Sequence, residues 1–218
     1  MTTPVTTLHG IGKQVAEQLA RLGIHSLEDM LFHLPLRYED RTKIKPLNQL
    51  KVGESVLVEG TIQSAEVKFG KRRSLICMLS DGADTVMLRF FHFYPSQREK
   101  LKPGTHLRCF GEVRQGYQNL ELVHPQYECL DYFDSNPLLE DHLTPIYPSN
   151  SHLTQTVFYS LIDQIFQKQE IIDYLPETVR EQFNLLPIKE ALQILHQPPP
   201  EVSIKACLLY TSPSPRDS

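Results

Sequence analysis

The chain has 218 residues, of which 40% are hydrophobic and 22% charged, with a formal net charge of −4. This composition can bury a core and excludes a disordered chain, and the length holds one large domain or two small ones but no nucleotide-driven motor of two large α/β domains beside anything else. No apolar run approaches the roughly 18 residues of a membrane helix, and the opening MTTPVTTLHG has neither the basic nor the apolar region of a secretory signal.

Residues 7–34 are predicted to form two short helices. Leu8, Ile11, Val15, Leu19 and Leu22 make an apolar stripe at helical spacing, and Gly23 ends it. Ser26 with Asp29 three residues on has nearly the pattern of a capping box, and Pro35 stops the second helix. The run from Leu8 through Gly10-Ile11-Gly12 to Leu19 is similar to a helix-hairpin-helix element, whose glycine turn brings backbone N–H groups near a DNA phosphate. A plain helix start packed on a neighbour accounts for the same residues. Residues 1–44 hold 5 basic and 5 acidic side chains, so this region is neutral.

From residue 51 the period changes to two. Alternating stretches at 55–66, 74–80, 85–93, 105–113 and 119–130 are separated by turn residues such as Ser80-Asp81-Gly82 and Lys102-Pro103-Gly104. The polar gap 94–101 is long enough for about two helical turns. Three strands, a short helix and two more strands is the order of a five-stranded OB-fold barrel. Residues 45–130 carry 12 basic and 9 acidic side chains, net +3, and such a surface can bind phosphate locally because salt screens more distant charge.

Beyond residue 131 the pattern turns helical and acidic, with 4 basic and 11 acidic side chains in 131–205. Residues 143–148 are an extended connector set by Pro145 and Pro148. Val157, Leu161, Ile162, Ile165 and Phe166 mark a helix over 154–169, and Pro176 and Pro187 open two more. The Ser/Pro-rich stretch 206–218 matches nothing before it and is excluded as a non-native tail. The expected organisation is therefore α+β: short helices over 1–44, the barrel over 45–132, a helical linker segment over 133–205, and the tail.

Among candidate chemistries, most are missing. Gly12-Lys13 and Gly70-Lys71 lack both the earlier glycine and the following Ser/Thr of a phosphate-binding P-loop. The nine histidines form no metal-binding pair. Cys77, Cys109, Cys129 and Cys207 are irregularly spaced and are expected to be buried free thiols. Glu39-Asp40 and Asp81/Asp84 are read as turn and cap residues. No catalytic, cofactor or metal residue is assigned.

What remains points to nucleic acid. In the strand Thr85-Val86-Met87-Leu88-Arg89-Phe90-Phe91-His92-Phe93-Tyr94, the residues Val86, Leu88 and Phe90 share one face, and Met87, Arg89, Phe91 and Phe93 the other. With the first face filling a barrel, the second shows a cation and two aromatic rings, a platform for bases, unless flanking helices cover it. Lys68, Lys71, Arg72 and Arg73 surround the first turn, where an OB-fold often binds, although a solvated hairpin tip has the same composition. Arg108 and Arg114 extend the patch.

At this point the chain resembles a known family. Leu34-Pro35-Leu36-Arg37-Tyr38-Glu39-Asp40-Arg41-Thr42 is similar to a signature near the start of bacterial RecG helicases, and Arg89-Phe90-Phe91-His92-Phe93 to a segment of their wedge domain. His124-Pro125-Gln126-Tyr127, the stretch from Leu143 to Pro148 and the stretch from Leu195 to Pro200 resemble further parts in the same order, so the likeness spans about residues 5–205. The resemblance implies the DNA-binding wedge of an ATP-dependent helicase that remodels stalled replication forks and migrates Holliday junctions. The motor domains, with their ATP and Mg, would belong to the parent and not to this chain. It implies Phe91 stacked on an unpaired base at the branch point, with Phe93 or Tyr94 as a second stacking ring. His92 stands where many members have Asn. Arg37, Tyr38, Asp40 and Arg41 would hold the N-terminal helices against the barrel. The chain is thus expected to be a truncated, cytoplasmic, monomeric binder of forked DNA that hydrolyses no ATP alone. The alternative is a free-standing OB-fold binder of single-stranded nucleic acid, and a third reading is a protein-interaction module using helices 152–196.

Overall fold

The computed structural model describes residues 3–69, 73–117, 119–130, 139–168 and 170–201. Their elements in chain order are α1 (Lys13–Arg21), α2 (Leu27–Leu31), β1 (Arg37–Glu39), β2 (Ser55–Lys68), β3 (Ser74–Ser80), β4 (Thr85–Phe90), α3 (Pro95–Lys100), β5 (His106–Gln115), β6 (Leu120–Val123), β7 (Gln126–Cys129), β8 (Thr144–Ile146), α4 (Gln155–Lys168), α5 (Glu177–Phe183) and α6 (Ile188–His196). They fall into two units, Met1–Glu39 with His142–Ser218, and Asp40–Asp141. No described helix is long and apolar enough to cross a membrane.

The first unit joins regions that the sequence pattern sets apart as 1–44 and 133–205. One core contains Leu19, Ile24, Leu27 and Met30 together with Phe158, Leu161, Ile162, Ile165 and Leu192, because neither group of short amphipathic helices can cover its own apolar face. The five-residue α2 is held by a complete capping box: the Asp29 N–H donates to Ser26 Oγ (3.1 Å) and the Ser26 N–H to Asp29 Oδ2 (2.9 Å). The N–H of His25, followed by the hydroxyl and N–H of Ser26, stabilises the Asp29 carboxylate and holds it below its usual range. Among the described residues the glycine turn before α1 follows a 3-10 turn, Val5–Thr7, where a helix-hairpin-helix has an α-helix. β1 pairs antiparallel with β8, Tyr38 opposite Pro145.

A file of rings lies inside this unit. Tyr147 stacks between Phe158 (5.4 Å) and His196 (5.7 Å), and His33 lies on Phe158 (5.4 Å). His196 is 1% exposed; its Nε2–H donates to the Leu31 carbonyl (2.8 Å) and its Nδ1 accepts from the Tyr147 hydroxyl (2.9 Å). Both nitrogens are satisfied in the neutral form. Burial pushes this imidazole down to about 4, against the opposing pull of the Leu31 carbonyl.

The second unit is built on a six-stranded mixed sheet of order β2-β3-β4-β6-β5-β7, in which β2 also pairs with β5. The likeness is to an OB fold. β2 is 14 residues long and serves two partners: residues 55–61 pair with β5 and residues 61–68 with β3. Gly60 allows the change of partner, since a Cβ there would lie 2.4 Å from the Ser80 carbonyl oxygen. Five strands were expected and six are present, because the stretch 119–130 is not one strand. It breaks between β6 and β7 at His124, whose φ is 48°, and at Pro125, which has no N–H to give a ladder. Val58, Leu75, Cys77, Val86, Leu88, Leu107, Cys109, Val113 and Leu122 fill the interior with no exposure. Burial pushes the Cys77 thiol up to about 11 and raises that of Cys109. Cys129, expected to be buried, is exposed because it stands near the end of β7; Cys207 and the tail 206–218 lie outside the described residues.

The buried His196 gives the first unit a defined acid sensitivity. The unfolded chain binds a proton near pH 6.5 and the folded one near 4, so stability is whole above 6.5 and declines as pH falls toward 4. Denaturant unfolding followed by aromatic circular dichroism should show a loss on the order of 2–3 kcal/mol across that window. His196→Gln should flatten the slope.

Candidate nucleic-acid interface

β4 places its side chains as its alternation requires. Val86, Leu88 and Phe90 are buried, and Met87 and Arg89 are half-buried on the opposite face. The strand ends at Phe90 rather than running to Phe93. Its ladders stop there, with Leu75 opposite Phe90 on one side and Val123 opposite Arg89 on the other, and Pro95 then opens α3 after an extended Tyr94 (φ −95°, ψ 157°). Residues 91–94 are therefore a short bridge between β4 and α3, in which four consecutive aromatic or imidazole rings emerge.

Phe91, His92, Phe93 and Tyr94 line a shallow cavity of about 350 Å³, and Arg73, immediately before β3, completes it. The antiparallel register brings these groups together, because Leu75 of β3 lies opposite Phe90 of β4. The Arg73 guanidinium sits 4.8 Å from the centre of the Phe93 ring and 5.8 Å from that of Phe69. Tyr94 is 78% exposed and Phe69 81%. Rings that large left in water, with a cation among them, form a surface suited to stacking a base beside a phosphate.

The other expected residues are placed differently. Arg89 lies 5.9 Å from the Phe91 ring, but its Nε–H donates to Glu121 Oε2 (2.8 Å), so its charge is matched within the sheet. Arg108 is 8% exposed and donates to Glu59 Oε2 from Nε (3.1 Å) and Nη2 (2.8 Å). Burial works to raise the Glu59 carboxyl, yet the bonds from Arg108 and His106 outweigh it and hold the group below its usual range. Arg114 is exposed and pairs with Glu112 (3.0 Å). Lys68 is exposed at the end of β2; Lys71 and Arg72 lie outside the described residues. The structure thus gathers Arg73, Phe91, Phe93 and Tyr94 in one place, and Arg108 and Arg114 elsewhere.

Two members of the cluster were missed from the sequence. Phe69 is not among the candidates that the sequence singles out, although an aromatic among four cations is a usable signal. His124 comes from the β6–β7 corner. Its ring lies 5.8 Å from Phe91 and stacks on His92 at 6.2 Å, and no local pattern announces it. The signature 34–42 divides between the units. Tyr38 donates its hydroxyl to the Leu195 carbonyl (2.7 Å) in the first, and Arg41 in the second lies 4.3 Å over the Phe110 ring and donates to Gln126 Oε1 (2.6 Å).

A family model described as the RecG wedge domain matches residues 4–189. The chain belongs to the RecG wedge-domain family. It is 43% identical over 97% of its length to the ATP-dependent DNA helicase RecG of Pasteurella multocida, and 41% identical over 93% to that of Haemophilus influenzae. It spans about 30% of the length of these curated relatives. A solved structure of RecG bound to a three-way DNA junction is 28% identical and superposes with a TM-score of 0.69, covering 91% of this chain and 27% of that one. In this RecG wedge-family chain, both the aromatic bridge 91–94 and the β6–β7 corner lie within the matched residues.

Exchanging the two arginines should separate contact from scaffold. Arg73→Ala should lower the salt dependence of DNA binding by about one counterion and leave stability nearly unchanged. Arg108→Ala should cost about 1–3 kcal/mol of stability by stranding Glu59, with the salt dependence unaltered. Binding titrations at several salt concentrations, with unfolding curves for both variants, measure each effect.

Proposed function

We propose that this chain is the branch-point-recognising part of a RecG-like DNA helicase, and that it binds forked or junction DNA through the cavity at the end of β4. The observation that carries the reading is the convergence of Phe91, Phe93, Tyr94 and Arg73 on one exposed hollow in a chain of this family. In this reading β2-β3-β4-β6-β5 closes through the β2–β5 pairing into the five-stranded barrel of an OB fold, and β6 and β7 are halves of its last strand.

The chemistry required is not covalent. A duplex entering a branch must give up stacking of roughly 1.4 kcal/mol per step. An aromatic ring returns about 1–3 kcal/mol for each unpaired base it receives, so one or two rings offset the opening of the first pair. Bulk then keeps the strands apart, and Arg73 contacts phosphates, which fixes register without reading sequence. Net charge does not oppose this, because the deficit of −7 is carried by residues 131–205 and the barrel region is net positive. ATP and Mg serve the motor of the longer relatives in this proposal. The parent would act as a cytoplasmic monomer that remodels stalled forks and migrates Holliday junctions.

Competition between a three-way junction and a single strand of equal length tests the reading. The junction should win, and Phe91→Ala should weaken junction binding by about 5- to 150-fold, the range set by one stacked base. A single strand that competes equally well would favour a free-standing single-strand binder. An unchanged affinity for Phe91→Ala would remove the aromatic cavity from the account.

A further inference from the structure

His124 occupies the left-handed region with φ 48°, a conformation that costs a non-glycine residue about 1–2 kcal/mol and persists where surrounding contacts enforce it. The contacts are specific. The parallel pairing of β4 with β6 ends at Arg89 opposite Val123. One residue further, the His124 N–H donates to the Arg89 carbonyl (2.8 Å). The next donor on this edge of β4 is the Phe91 N–H. In a continuing ladder it would meet a backbone carbonyl. Here it donates to Nε2 of the His124 ring (3.2 Å), so that nitrogen is unprotonated and the imidazole stands in for the missing carbonyl. The same ring meets Phe90 edge-on (6.1 Å, 88°), lies against Phe91 (5.8 Å) and stacks on His92 (6.2 Å, 21°).

We propose that His124 is a positioning residue for nucleic-acid contact: it holds the Phe91 main chain as the last rung of the β4–β6 pairing and fixes the angle at which the Phe91 and His92 rings leave the sheet. The inference rests on the proposed use of the aromatic cavity and adds to it a residue that would touch no base. Preorganisation is the physical gain, since a bridge already fixed in its bound form loses less freedom on binding.

The test uses the full chain with two replacements of opposite design. A glutamine side-chain oxygen can reach the place of Nε2, so His124→Gln keeps the acceptor; His124→Asn suits the left-handed backbone but is too short to reach the Phe91 N–H. Junction affinity and hydrogen exchange at the Phe91 amide are measured for both, with each replacement repeated on Phe91→Ala. His124→Asn should weaken junction binding about fivefold and speed Phe91 exchange by a similar factor, as loss of one hydrogen bond implies. His124→Gln should recover most of both, and on Phe91→Ala neither replacement should weaken binding further. Wild-type exchange at Phe91 in His124→Asn overturns the proposal, and so does a loss of binding that persists in full on Phe91→Ala. If Phe91→Ala alone leaves binding intact, the reading of the cavity fails, and the exchange data still decide whether His124 holds that bridge.

Discussion

β4 and β6 run side by side through three residue pairs, and the ladder stops where Arg89 faces Val123. Everything at this end of the six-stranded sheet depends on how that stop is made. Beyond it, β6 turns through a left-handed residue and a proline, while β4 passes into a bridge that Pro95 converts to α3. The two exits are tied by a backbone bond and a ring bond from His124, and the Arg89–Glu121 pair closes the row beneath. Without those ties the bridge 91–94 would be a loop of rings with no partner in the sheet. With them, Phe91 and Phe93 sit half-buried and His92 and Tyr94 exposed on a fixed base.

Charge is distributed by the same logic. The two arginines most withdrawn from water in the sheet are matched: Arg108 by Glu59, Arg89 by Glu121. Desolvating an arginine without a carboxylate would cost several kcal/mol, so the sheet holds these pairs as scaffold. Arg73 is placed differently, at the turn, over aromatic faces that orient the guanidinium and leave its edge to solvent. The formal charge of the chain is therefore a poor guide to where an anion would bind. The relevant quantity is which cations have aromatic neighbours and which have acidic ones.

Much of this was legible in the sequence because it is local. Period-two alternation located the strands and assigned Val86, Leu88 and Phe90 to the interior; Ser26 and Asp29 announced their capping box; the run Phe91 to Tyr94 stood out as a row of aromatic side chains. What was not legible depends on partners distant in the chain. Arg108 has the local sequence context of a surface cation because its partner Glu59 is on another strand. The helices before residue 40 and after 142 were read as separate regions because their shared core joins Leu19 and Met30 to Phe158 and Ile162 across more than a hundred residues. His124 was invisible for a third reason. Its place is set by backbone handedness, which hydrophobic periodicity does not encode.

In the proposed function, the branch point of a DNA junction meets the rings at the end of β4. Photo-cross-linking measures this most directly: a three-way junction carrying one halogenated base at the branch is bound to the chain, irradiated, and the modified peptide identified by mass spectrometry. Attachment is expected within residues 91–94, with little when the halogenated base is moved into an arm. Attachment concentrated on the exposed apolar residues of the first unit, such as Tyr174 or Phe183, with none in residues 91–94, would contradict it.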